Sequence, residues 1–330
     1  MRITNNMITG NYLYSLNKSL ERQNDIQEKL SDGKAIHRAS DDPIKAIRAL
    51  RFNTSVGTNE QYTQNVKDAI SWMDTTDGAL QDISDITARA KELAIKAVGP
   101  NPTEGFQAIA SEVDGIINQL VQIGNTKIGD RYVFSGQKDK TEAFTTVKDA
   151  SGKVTAVEYQ GDNNKISMSI QPGLADATRD SVNLTGTDVF GATSILIAAD
   201  PSAIPPQEEV TTTELFKNLI ALRDELMKDP PDLTKISSEP AADSIMGKMD
   251  VDRNSMLLQQ TQMGARMATY ATSLSLLENN NTIITNDLAA NEDLDIPKAI
   301  IDAKSAENVY NMALSVGARI MPMSLVDFLK

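Results

Sequence analysis

The chain has one histidine, His37, and no cysteine in 330 residues. Within one chain this excludes a zinc site built on two or three histidines, a His-dependent triad, a disulfide and any thiolate chemistry. His37 sits among turn residues and reads as one of them. A phosphate-cradling loop needs a glycine ahead of its Gly-Lys pair and a hydroxyl after it. Gly33-Lys34, Gly152-Lys153 and Gly247-Lys248 lack both. Carboxylates are scattered throughout, so neither Glu208-Glu209 nor the group Glu292, Asp293 and Asp295 stands out as an acid/base pair. The second group precedes Ile296-Pro297 and reads as a solvated helix start. The methionines from Met246 to Met267 recur at helical spacing and read as bundle core, with an adaptable binding face as the alternative. No catalytic, metal or cofactor residue is assigned, and the chain is expected to be neither an enzyme nor a cofactor carrier.

Elements without chemistry of their own point to structure. The net charge of -13 would repel a phosphate backbone, and no basic stripe or arginine-rich tail offsets it, which argues against nucleic acid. No apolar run approaches the roughly 20 residues that span a bilayer, and Met1 to Leu20 lacks the basic and apolar regions of a signal peptide. No membrane anchor and no cleaved leader are expected. Aromatic residues make up 5% of the chain, with Trp72 the single tryptophan. That profile suits thin helical bundles better than one thick core.

The apolar spacing supplies the helices. Leu13, Leu16, Leu20 and Leu30 suggest a seam with alternating steps of three and four, interrupted by Gln23 and Gln27 and stopped by Gly33. Asp42 and Pro43 are the capping and first-turn residues of a long helix. From Tyr62 a seam runs Val66, Ala69, Met73, Thr76, Leu80, Ile83, Thr87, Ala90, Ala94 and Ala97, until Gly99-Pro100 ends it. A helix with Phe106, Ile109, Val113, Ile116, Leu120 and Ile123 follows. The period then falls to two, predicting strands at Tyr132 to Phe134, Val154 to Tyr159 and Ile166 to Ile170 in a small β-rich insertion. Thr213 is placed to cap a helix carrying Leu215, Leu219, Leu222 and Leu226. The longest seam runs Met246, Met249, Arg253, Met256, Gln260, Met263, Met267, Tyr270, Leu274, Leu277, Asn281, Ile284 and Leu288. Gln260 and Asn281 are polar members able to set register at some cost in stability. A last seam of small residues, Ile296, Ala299, Ala303, Ala306, Tyr310, Ala313, Gly317 and Ile320, allows a close helix neighbour. An apolar ending with Leu325, Phe328 and Leu329 follows Pro322 and needs a partner surface.

The expected fold is mainly α with a β-rich insertion: an elongated bundle or coiled-coil rod made by both halves of the chain. Residues 1–38 and 291–330 would form a terminal helical domain, 39–140 and 205–290 the rod, and 141–204 the insertion.

The opening Met1 to Met7, the turn Ile36 to Pro43, the stretch Arg89 to Ile95 and the segment Ile296 to Ala318 resemble signatures of the flagellin family. Helical end thirds around a β-rich middle are that family's arrangement. Gly129 to Gly136 and the ending Leu325 to Leu329 are similar to the branch of the family that joins hook to filament. In the middle the likeness is one of broad character, through Tyr159 to Asp162 and Asp188 to Gly191. The resemblance implies a subunit exported unprocessed through the flagellar type III apparatus with a cytoplasmic chaperone. It implies assembly with copies of itself in a ring or helical layer, between a hook-associated protein and flagellin, in the extracellular flagellum.

The assembly residues expected on this basis are Ile3, Leu13, Leu16, Leu20, Ile26, Leu30, Ile296, Ile300, Tyr310, Leu314, Ile320, Leu325, Phe328 and Leu329. Pairing of the terminal seams within one subunit would leave Ile26, Ile300, Ile301, Val309 and Leu314 for neighbouring subunits. A two-helix hairpin buries little surface, so such ends should be loose in the monomer and order on assembly. The rival readings are a filament-forming flagellin and an exported enzyme or binding module on a flagellin-like scaffold. The second would need a catalytic constellation in residues 141–200, which hold no histidine or cysteine.

Overall fold

A computed structural model describes residues 5–99, 103–149, 152–170, 181–196, 210–237 and 244–320. The chain is mainly α with small antiparallel β elements. Helix α1 (Asn5–Asp32) ends where Gly33 takes a φ of 75°, a left-handed turn that a side chain would resist. Helix α2 (Pro43–Val98) starts as its capping signal requires, with Asp42 Oδ1 accepting the backbone N–H groups of Ile44 and Lys45 at 3.1 Å. Helix α3 (Thr103–Gly124) leads to three separate antiparallel strand pairs. These are β1 (Lys127–Ile128) with β2 (Arg131–Tyr132), β3 (Phe144–Lys148) with β4 (Val154–Tyr159), and β5 (Thr193–Leu196) with β6 (Val210–Thr213). A short helix, α4 (Gly186–Phe190), lies between β4 and β5. Helices α5 (Glu214–Leu226), α6 (Leu233–Ile236), α7 (Ile245–Glu292) and α8 (Ile296–Ile320) complete the described chain.

The strand expected over Ile166 to Ile170 is reduced to an isolated bridge between Ser167 and Ser181. A side chain takes the place of a ladder partner there: Asn183 Oδ1 accepts the Ile166 N–H at 2.7 Å.

The chain divides into two compact units, Gln61–Leu277 and the combination of Met1–Glu60 with Glu278–Lys330. In the first, every member of the α2 seam from Val66 to Ala97 is buried, and so are Met249, Met256, Met263, Tyr270 and Leu277 of α7, seven residues apart. This is coiled-coil periodicity used as core, and it settles the methionines as packing residues. Thr76 and Thr87, buried in the same seam, donate their hydroxyls to the Trp72 and Ser84 carbonyls of their own helix. Lys91 pairs with Asp250 at 2.5 Å, and Gln260 donates to Asp77 at 3.4 Å, so α2 and α7 run antiparallel. Phe144, Tyr159, Phe190 and Phe216 form an aromatic cluster beneath the strands. Arg223, buried on α5, is neutralised by Asp114 of α3 at 2.7 Å and by Asp224, which also holds Lys153 of the β3–β4 turn.

Candidate assembly interface

The terminal helices α1 and α8 pack together in the second unit. They run antiparallel, since Tyr12 Oη donates to the Ala313 carbonyl at 2.9 Å while the Leu294 N–H donates to the Gly33 carbonyl at 2.8 Å. The residues turned inward on α8 are Ala299, Ala303, Ala306, Tyr310, Ala313 and Gly317. Those on α1 are Tyr12, Leu16, Ser19, Gln23, Ile26 and Leu30. Both sets step by four and three, the spacing of a coiled-coil seam. The α8 side is built almost wholly of small residues, so the backbones come close. A Cβ at Gly317 would overlap the phenol of Tyr12, which is packed against α8 at that point.

The loop 33–42 ties this pair to the start of α2 and the end of α7. The Ala35 N–H donates to the Glu292 carbonyl at 2.7 Å, and Lys34 forms an ion pair with the buried Glu292 carboxylate, which raises the lysine above its usual range. The Lys34 N–H holds the Asp32 carboxyl below its ordinary range, and His37 Nε2, 2.5 Å away, adds to that effect. Asp41 is likewise lowered by accepting the Arg38 and then the His37 N–H groups. Asn291 Nδ2 donates to the Lys45 carbonyl at 2.9 Å. His37 is therefore a turn residue, and the loop is a polar clasp joining segments from opposite ends of the sequence. Among the described residues no group of three or more His, Asp or Glu is placed to hold a metal.

The expected assembly residues fall into two groups. Leu16, Ile26, Leu30 and Tyr310 are on the seam. Leu13, Leu20, Ile296, Ile300 and Leu314 are exposed. Ile320 ends α8, whereas Ile3, Leu325, Phe328 and Leu329 lie outside the described residues. Two expectations need correction. Leu13 and Leu20 do not make the α1 seam, because each lies one residue past it, beside Tyr12 and Ser19. Ile26, expected on the outer face, packs inward. Steps of three and four back from Leu30 and Ile26 reach Gln23, Ser19, Leu16 and Tyr12, so the seam follows the spacing through polar positions rather than the leucines.

Further large apolar residues that were not among those expected are on the outside. Met7, Tyr14, Met312 and Val316 are exposed, Tyr14 by 70% and Met312 by 63%. With the inward residues as heptad a and d positions, Leu13, Leu20 and Leu314 flank one side of the seam and Val309 and Val316 the other, while Tyr14 and Met312 point away from it. Exposed apolar residues thus lie on both flanks of the pair and on part of its outer faces, at the level of Met7 to Leu20 and Val309 to Val316. The second half of α1 differs: Lys18, Glu21, Arg22, Asp25 and Glu28 line an open polar groove with His37, Arg38 and Asp41. Exposed apolar side chains on both flanks of a helix pair are more than a solvated surface hairpin needs, although Asn11, Ser15, Asn17, Lys18, Asn308, Asn311 and Ser315 are exposed among them.

Residues 3–139 match the family described as the bacterial flagellin N-terminal helical region. The chain is 26% identical over 222 residues to flagellar hook-associated protein 3 of Escherichia coli, an alignment that takes in 66% of this chain and 64% of that protein, just under two thirds of its length. It is 24% identical over 285 residues to flagellar hook-associated protein 3 of Salmonella typhimurium, covering 84% of this chain and 83% of the relative. Its fold is that of a solved flagellar hook-associated protein 3 from Legionella pneumophila, with a TM-score of 0.57, 17% identity, and coverage of 73% of this chain and 98% of that one.

Proposed function

We propose that this chain, whose N-terminal part is of the flagellin type, is a non-enzymatic structural subunit that joins the flagellar hook region to the flagellin filament. The observation that carries this reading is the collar of eight exposed apolar residues around α1 and α8: Met7, Leu13, Tyr14, Leu20, Val309, Met312, Leu314 and Val316. A surface of that kind on both flanks of one helix pair suits a place inside a ring or helical layer, where each copy has a neighbour on either side. The hook-associated names carried by relatives aligned over much of the chain favour the junction over the body of the filament. A junction subunit meets two unlike neighbours, a hook-associated protein on one side and flagellin on the other. Until it is assembled the collar needs cover, a task suited to a cytoplasmic export chaperone. The site of action is then extracellular.

The test is complementation of a strain lacking the junction protein, with immunogold microscopy of the product. A single band between hook and filament is expected. Label along the whole filament would make the chain a flagellin, and label in neither place would overturn the flagellar reading.

A further inference from the structure

The first turns of α2 carry a second surface that the terminal helix pair does not use. Ala46, Ala49 and Phe52 face inward, while Ile44, Ile47 and Leu50 are exposed by 66%, 53% and 68%. Large aliphatic side chains left open at adjacent helical positions mark a contact surface. Lys45, Arg48 and Arg51 alternate with them, and none makes an ion pair among the described residues. In a chain with 45 acidic and 32 basic residues, a cluster of free cations around an apolar stripe fixes the sign of what covers it.

The complementary surface is further along the same helix. Asp74, Asp82 and Asp85 are exposed and have no cation partner among the described residues. On a helical wheel they fall within about 80° of one another, and Gly78 lies among them. Gly78 is exposed in mid-helix with a non-positive φ, and a Cβ there would meet nothing within 4 Å. Neither turn geometry nor packing within the chain calls for glycine, which costs about 1 kcal/mol against alanine in a helix. Gly10, Gly57 and Gly264 are exposed helical glycines with equal room; Gly78 differs in lying among these three unpaired aspartates, where the missing side chain leaves space for one from another molecule.

We propose that the basic apolar face of Ile44 to Arg51 docks on the Gly78-centred acidic face of α2 in a second copy of this chain. An aliphatic side chain sits at the glycine, and the aspartates pair with Arg48 and Arg51. The contact joins unlike surfaces and repeats from copy to copy. It rests on the reading of the chain as an assembling subunit and adds a specific interface outside the terminal helices.

The test uses the full chain in three forms: wild type, R48E/R51E, and D74R/D82R/D85R. Circular dichroism first checks that helix content is unchanged, since all five positions are exposed. Sedimentation velocity over rising concentration then measures self-association, in low and in 0.5 M salt. The wild type is expected to associate, more weakly in high salt. Each variant alone should lose at least about tenfold in apparent affinity, and an equal mixture of the two should recover most of it. Association of R48E/R51E equal to wild type would overturn the docking contact and leave the assembly reading standing. Absence of association by the wild type at every concentration would overturn self-docking and self-assembly together. Arg48-dependent sedimentation with anionic phosphatidylserine vesicles, without Arg48-dependent self-association, would replace the second copy with a membrane surface.

Discussion

Glycine at position 317 gives the terminal pair a sharp test, because the same substitution elsewhere in the pair should act with the opposite sign. Gly10 of α1 is exposed, and a Cβ there would meet nothing within 4 Å. Gly10→Ala therefore carries only the helix-propensity gain, about 0.8–1.0 kcal/mol. Gly317→Ala has the same gain but drives a methyl group into the Tyr12 phenol. Overpacking of that kind costs about 1–3 kcal/mol, and displacement of Tyr12 also loses its 2.9 Å bond to the Ala313 carbonyl, worth about 1 kcal/mol. The net expectation is a loss of ~1–3 kcal/mol at 317 and a gain of up to ~1 kcal/mol at 10. Global melting would be dominated by the larger unit, so the assay is amide hydrogen exchange along α1 and α8 in the full chain, which reads the opening free energy of those helices. Faster exchange in Gly317→Ala and slower exchange in Gly10→Ala is the expected pair of results. Slower exchange in both would mean that Tyr12 does not pack on α8 as described.

Asn281 lies on the inward seam of α7 with its Oδ1 buried and unpartnered, so Asn281→Leu should raise the stability of its unit by about 1–3 kcal/mol. Unchanged hydrogen exchange around residue 281 would remove that argument. Asp252 is pushed up to about 6 by burial, with Glu214 adding to the rise and the Asn218 amide, 2.7 Å away, opposing it. Its folded value lies above its unfolded one, so its contribution to stability is full below about pH 4 and is lost as pH rises through about 6. After discounting for its remaining exposure, Asp252→Asn should flatten ~1–2 kcal/mol of that decline, measured by urea unfolding at pH 4.5 and 7. Removal of residues 321–330 should leave the unit Gln61–Leu277 folded by circular dichroism and abolish incorporation into flagella, and retained incorporation would show that the ending is dispensable.

The sequence was most legible where large apolar residues face a core on one side and water on the other. The α7 methionines and the α2 seam from Val66 to Ala97 satisfy that condition, and their periodicity translated directly into burial. Capping did the same for α2, where Asp42 and Pro43 fix the start of the helix. The α1 seam was misplaced because the condition fails there. Leucines at 13 and 20 are on the outside while Tyr12, Ser19 and Gln23 are within, so hydrophobicity no longer separates the two faces. In the insertion, Ile166 to Ile170 has the alternation of a strand, but Asn183 supplies a side-chain acceptor that no period of two reveals. The Gly186 to Phe190 helix was visible only as part of a family likeness. Its need for glycine at 186 comes from contact with the Tyr159 ring, distant in sequence.

The two units also differ in what holds them. The unit Gln61–Leu277 buries leucine, isoleucine, phenylalanine and methionine side chains, each worth about 1.5–3 kcal/mol when fully removed from water. Apart from Tyr310, the α8 side of the terminal seam is made of alanine and glycine, whose burial gives less than about 1 kcal/mol per residue. Fixing a residue's backbone costs about 1–2 kcal/mol, and α1 and α8 contain 28 and 25 residues. Backbone hydrogen bonds offset much of that cost, but the seam adds little beyond them. Covering the eight half-exposed collar residues at ~1 kcal/mol each would add roughly 8 kcal/mol, as much as the whole stability of many domains. Small residues fill most of the α8 side of the seam while Leu13, Tyr14, Leu20, Met312 and Leu314 are exposed, which departs from the usual order of a surface hairpin. In the assembly proposed above, neighbours covering the collar would add to a pair whose own seam contributes little, which would couple the order of α1 and α8 to the presence of neighbours.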